Sequence, residues 1–141
     1  MLRKKARQDE TSVPAIGYEW CPAKTWERQD GVVVCGRSVV EHCQIVGEVA
    51  RVLLARYPAW LRDALFPGCA PFAAACHDIG KVSPCFFEKL RGACSVPPAG
   101  LPALAVNPLL ERNWGGHAGV SQVAVAAMGA PRWVPEILGQ H

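Results

Sequence analysis

The residues of this chain best suited to chemistry are four histidines, His42, His77, His117 and His141, and an aspartate, Asp78, that follows His77 directly. The His77–Asp78 pair closes the apolar run FAAAC at 72–76 and opens HDIGK at 77–81. A histidine–aspartate pair can bind a metal or serve as an acid/base pair; the dipeptide alone is common, and HDIGK at a helix end is the stronger signal. Several imidazoles with few carboxylates suit Mn2+, Fe2+, Co2+, Ni2+ or Zn2+ better than Mg2+ or Ca2+, which prefer oxygen shells. A carboxylate has two oxygens, so Asp78 is the natural bridge between two ions. Adjacent side chains on a helix point about 100° apart, yet both reach one ion, or one pair of ions, where the helix end lines a cavity. Plainer readings stand beside this one. Asp78 can cap another helix, and His77 can be a packed polar residue. His42, taken alone, reads as a hydrogen-bonded core histidine, on one helix face with Val46, Val49 and Leu53.

The elements that must position these groups read as helices. Ser38 and Glu41 have the spacing of a capping box, and Val39, Cys43, Val46, Ala50, Leu53 and Tyr57 recur at helical spacing up to Pro58. A short helix follows in PAWLRDALF, broken by Pro67-Gly68. Pro71 starts another through PFAAACHD, with Gly80 as the residue that ends it. Ser83 and Pro84 are N-cap and first residue of PCFFEKLR, closed by Gly92. Residues 92–113 read as a long loop of the kind that often carries function. HAGVSQVAVAAM is helical up to Gly129, and PEILGQH is a last short helix. GVVVCG at 31–36 favours a short strand. The fold class is all-α.

Composition sets the outer limits. The 141 residues are half apolar, enough for one domain with a core, and the formal charge of +3 does not by itself argue for a nucleic-acid partner. Residues 1–18 form a basic, flexible terminus holding Arg3, Lys4, Lys5 and Arg7, and 19–141 form the domain. The seven cysteines are odd in number and no two are spaced Cys-x-x-Cys, so a zinc ribbon or a disulfide scaffold is disfavoured. They are expected to be reduced, in a cytoplasmic chain. No apolar run marks a signal peptide or a membrane span.

CHDIGKVSPCFFEKL resembles the signature of the HD phosphohydrolase superfamily, and more narrowly the HD nuclease domain of the type I CRISPR-associated nuclease–helicase. EWCPAKTW at 19–26 is similar to that domain's opening segment. His42 matches its first histidine, His117 in WGGHAGVSQ its third, and His141 a further one. The resemblance implies an HD-domain helical bundle with two divalent transition-metal ions, Mn, Fe, Co or Ni with Zn as a further fit. It implies one ion on His42, His77 and Asp78 and a second on Asp78, His117 and His141. Two such ions clamp a scissile phosphate and activate a water. Lys81, beyond Gly80, is then placed to meet a phosphate oxygen; its plainer reading is a surface lysine beside a turn. In the family a second histidine follows the fourth, and a late aspartate comes after it. On that pattern the chain is expected to be a bundle incomplete at its C-terminal end, an N-terminal piece or a natural remnant, weak or inactive alone.

The resemblance implies a metal-dependent nuclease, catalytic through Asp78 and Lys81, that cuts single-stranded DNA in antiviral defence. Its partners are then a helicase, in the same or another chain, and the CRISPR RNA-guided surveillance complex, with no membrane involved. Two alternatives stay open: another HD-superfamily phosphohydrolase acting on nucleotides, and a catalytically inactive docking module. Phe86 and Phe87 read as core rather than as base-stacking residues, and Ser121, four residues after His117, as helix filler or a support for a ligand.

Overall fold

The computed structural model describes residues 17–101 and 103–140. His141 and the basic cluster at 3–7 lie outside the described residues. Seven helices carry the fold: α1 (Val39–Ala55), α2 (Ala59–Leu65), α3 (Ala70–Cys76), α4 (Pro84–Ala93), α5 (Pro108–Asn113), α6 (Gly116–Ala127) and α7 (Trp133–Leu138). A 3-10 turn, Ile79–Val82, joins α3 to α4. The all-α reading holds, with one small addition. β1 (Thr25–Glu27) pairs antiparallel with β2 (Val33–Cys35), placing Trp26 opposite Val34. Val33 and Val34 of GVVVCG, with Cys35, thus form a strand, and its partner comes from the aromatic opening segment.

Local chemistry sets the helix starts. Ser38 Oγ accepts the Glu41 N–H at 3.2 Å while Glu41 returns a carboxylate oxygen to the Ser38 N–H at 3.1 Å. This reciprocal cap satisfies two backbone donors that the first turn leaves over. Ser83 caps α4 by accepting from the Phe86 N–H, with Pro84 in the first turn. Asn107 caps α5, a helix inside the stretch expected to be a loop. α4 runs through Gly92 to Ala93 rather than stopping at the glycine. α7 begins at Trp133, ahead of Pro135.

Two apolar clusters flank the middle of the molecule. Ala73, Cys76, Val125, Val134 and Leu138 tie α3 to α6 and α7. Cys21, Ala23, Val39 and Phe87 tie the opening segment to the start of α1 and to α4. Phe87 is 1% exposed, and burying such a side chain is worth about 1.5–3 kcal/mol. α1 lies close along α3, because Gly47 has no Cβ; one there would stand 2.8 Å from Ala75 Cβ. Val49 and Leu53, expected on an inward face with His42, are exposed. Only the first turns of α1 are covered on that side.

Candidate metal centre

α3 stops at Cys76, one residue before His77, and Asp78 leads into the 3-10 turn. Gly80 therefore does not end an α-helix, as its sequence context suggested. It sits inside the turn, where the backbone passes so close to α6 that a Cβ would overlap the His117 carbonyl oxygen. Only glycine permits that approach. Its N–H donates to Ser121 Oγ at 2.9 Å, and the Ser121 hydroxyl donates to the His77 carbonyl at 3.2 Å. Ser121 is fully buried. One hydroxyl thus clamps both ends of the HDIG run to α6, which makes Ser121 more than helix filler.

Within this frame Asp78 is 2% exposed. Three side chains converge on its Oδ2: His42 Nε2 from α1 at 3.0 Å, His77 Nε2 at 3.1 Å and Lys81 Nζ from the turn at 2.6 Å. His117 Nε2, from the first turn of α6, stands 3.7 Å from Oδ1. The structure thus brings together His42, His77, Asp78, Lys81 and His117, five of the residues singled out in the sequence. Burial pushes the Asp78 carboxyl up, but the Lys81 hydrogen bond and the His77, Lys81 and His42 charges outweigh it and hold the carboxyl below its ordinary value. A carboxylate kept ionised in a buried place is what cation binding needs.

The donor chemistry fits a divalent metal. The ligand atoms of His42, His77 and Asp78 all lie within 4.8 Å of one another. Metal–nitrogen and metal–oxygen bonds of about 2.0–2.2 Å place donors about 3–4.4 Å apart around one ion, a modest closing of this group. Two imidazoles and a carboxylate suit the later first-row divalent ions. The orientation of His77 is fixed behind the site. Its Nδ1 lies 2.9 Å from the Ala74 carbonyl, which can only accept, so Nδ1 carries the proton and Nε2 is the ligand atom. Cys43 is nearby on α1; burial first, and then the Asp78 charge, push its thiol up.

Phe86 separates from its neighbour here. Phe87 is core, whereas Phe86 is half-buried at the rim, its ring centroid 5.2 Å from that of His117. Sequence reading missed the structural role of Gly80 and left Ser121 between helix filler and a support for a ligand; the support is what the structure shows. The available signal was a serine four residues after a candidate ligand in an alanine- and valine-rich helix.

A family model described as Cas3, HD domain matches residues 22–141. No curated protein and no solved structure matches the chain.

Proposed function

Because this chain belongs to the Cas3 HD-domain family, a family of HD-type nucleases from CRISPR systems, we propose that it hydrolyses phosphodiester bonds in single-stranded DNA. The observation that carries this is the convergence of His42, His77 and His117 from three helical elements on one buried carboxylate. In this reading His42, His77 and Asp78 hold one divalent transition-metal ion, and Asp78, His117 and His141 hold a second. When bound, such ions supply Lewis acidity toward the phosphate and lower the pKa of water.

The chain's own residues do the rest. Asp78, with two carboxylate oxygens, would be the residue the two ions share. Ser121 and Gly80 keep its loop against α6. Lys81 has its ammonium on Asp78 Oδ2, where it balances the buried charge. With a metal ion held at Asp78, Lys81 would be free to meet a phosphate oxygen and offset charge that builds up in the transition state. Contacts of this kind are to phosphate and not to base edges, so sequence preference is weak. In the cell the chain works in the cytoplasm with a helicase that feeds it displaced strand, under a CRISPR RNA-guided complex. None of the described helices is long and apolar enough to cross a membrane.

The test is cleavage of circular single-stranded DNA by protein supplied with Mn2+, Co2+ or Ni2+, beside hydrolysis of small nucleotides. Cleavage of the circle, weak for this chain alone and abolished by Asp78→Ala, is the expected result. Turnover of nucleotides with the circle left intact overturns it in favour of a nucleotide phosphohydrolase. No metal uptake and no turnover of either leaves a docking module.

A further inference from the structure

Beside the metal centre runs a groove of about 670 Å3 between α4 and the α5–α6 corner. Its walls include Phe86, Val106 and Pro108, the cations Lys89 and Arg112, and His117. His117 also stands 3.7 Å from Asp78 Oδ1, so groove and site share one residue. Phe86 is the aromatic ring of its lining. Lys81 Nζ lies 5.4 Å and Lys89 Nζ 5.9 Å from the ring centroid. An aromatic ring flanked by ammonium groups, next to a phosphate-cleaving centre, is the combination that holds single strands: a base stacks on the ring and the adjoining phosphates meet the cations.

The charges agree with that occupant. Lys89 and Arg112 are exposed and make no ion pair among the described residues. Two carboxylates also line the groove. Glu88 is taken up by Arg91 at 2.8 Å and by the Leu104 N–H at 2.8 Å. Glu111 accepts from Ser83 Oγ at 3.0 Å and remains the one carboxylate there without a cation partner among the described residues. The open cationic side chains therefore outnumber it two to one.

We propose that this groove is a strand-binding subsite for single-stranded DNA, with a base stacked on Phe86 and the neighbouring phosphates held by Lys89 and Arg112. The proposal rests on the phosphodiester reading above and adds the path by which the strand reaches the centre. Lys89, at the far edge of cation–π range and exposed, can follow a phosphate while the base takes the ring face. Lys81 belongs to the centre and not to the groove.

The experiment is equilibrium binding of a fluorescent oligothymidylate, and of an abasic strand of equal length, to the full chain with chelator present so that the strand stays intact. Circular dichroism checks that each variant is folded, and metal analysis of separately metal-loaded protein checks the centre. Phe86→Ala is expected to weaken the thymidylate about tenfold and the abasic strand hardly at all, and Phe86→Trp to restore binding. The double variant Lys89→Ala, Arg112→Ala should weaken both strands and reduce the salt slope by about 1.4, from roughly 0.7 per phosphate contact. Metal content should stay at the wild-type level in that variant. Thymidylate affinity within twofold of wild type in folded Phe86→Ala overturns the stacking, and an unchanged salt slope overturns the phosphate contacts. If binding falls as expected but metal-loaded wild type cuts nothing, the nuclease reading fails and the groove stands. If wild type cuts and the groove variants bind as wild type, the groove fails and the nuclease reading stands.

Discussion

The two sides of the Asp78 carboxylate belong to differently built regions. On the α1–α3 side, His42, His77 and Lys81 crowd Oδ2 within 3.1 Å, and the helices behind them are drawn together by the Gly47–Ala75 approach. On the α6 side, His117 stands 3.7 Å from Oδ1 and borders an open groove. The first region is held by packing, and the ligand atoms of His42, His77 and Asp78 lie within 4.8 Å of one another. The second is set to face something that arrives from outside. On the proposed reading this division has a use: a rigid half to fix the geometry, and an accessible half for a phosphate.

The sharpest way to break this comparison is Asp78→Ala, because both regions depend on the one carboxylate. Metal content by elemental analysis should fall to background and nuclease activity should vanish. Unchanged metal content would sink the shared-bridge arrangement. His77→Ala should strip the ion of the α1–α3 side, while His117→Ala leaves that ion in place. Equal losses in both would show that the two sides are not separate.

Lys81→Ala tests whether the lysine serves catalysis or only buried charge. The expected result is a rate lower by about 10²–10³ with metal content unchanged or raised, since a competitor for Oδ2 has gone. Metal content falling in step with the rate would make Lys81 a structural counter-ion.

Ser121→Ala probes the clamp between the regions. It removes the acceptor of the Gly80 N–H and the donor to the His77 carbonyl, both in a buried place. Thermal melting should report a loss of about 1–3 kcal/mol, and metal titration an affinity weaker by about 10–100-fold. A variant with wild-type affinity would show that the HDIG turn holds its shape without α6.

The smallest effect lies away from the centre, at the edge of the hairpin. Cys35 Sγ is 2.9 Å from Cys94 Sγ, and burial, with the Cys94 thiol, pushes the Cys35 pKa up to about 12. Its folded value lies above the ordinary 9.0, so the proton stays on the folded protein between these two pH values. At pH 9, where an ordinary thiol is half ionised, Cys35 stays largely protonated. Mass-spectrometric alkylation should therefore label it far more slowly in the native protein than after unfolding. Equal rates would place the thiol in an ordinary solvent environment.

Much of this was legible in the chain. The Ser38–Glu41 box and the Ser83-Pro84 start are local, settled by residues three apart, and both formed as written. The ligand pair His77–Asp78 is contiguous, and His42 and His117 each sit near the start of a helix. Less legible were the elements ruled by distant partners. Gly80 looked like a helix stop because glycine favours such places, but the backbone of α6 decides its role. Val49 and Leu53 carry the right period for burial and are nonetheless exposed, since periodicity names a face without supplying what covers it. Phe86 and Phe87 are neighbours of one residue type, yet helix geometry sends one to the core and the other to the rim.

The sequence by itself determined the helical class, the capped starts of α1 and α4 and the identity of the groups that can bind a metal, because those depend on residue chemistry and short-range spacing. Only the tertiary structure decided that His42 and Asp78, thirty-six positions apart, share one oxygen contact, that Ser121 ties the HDIG turn to α6, and that Lys81 rests on the carboxylate. Those are meetings of separate helices, and the packing of two apolar clusters around the centre fixes them.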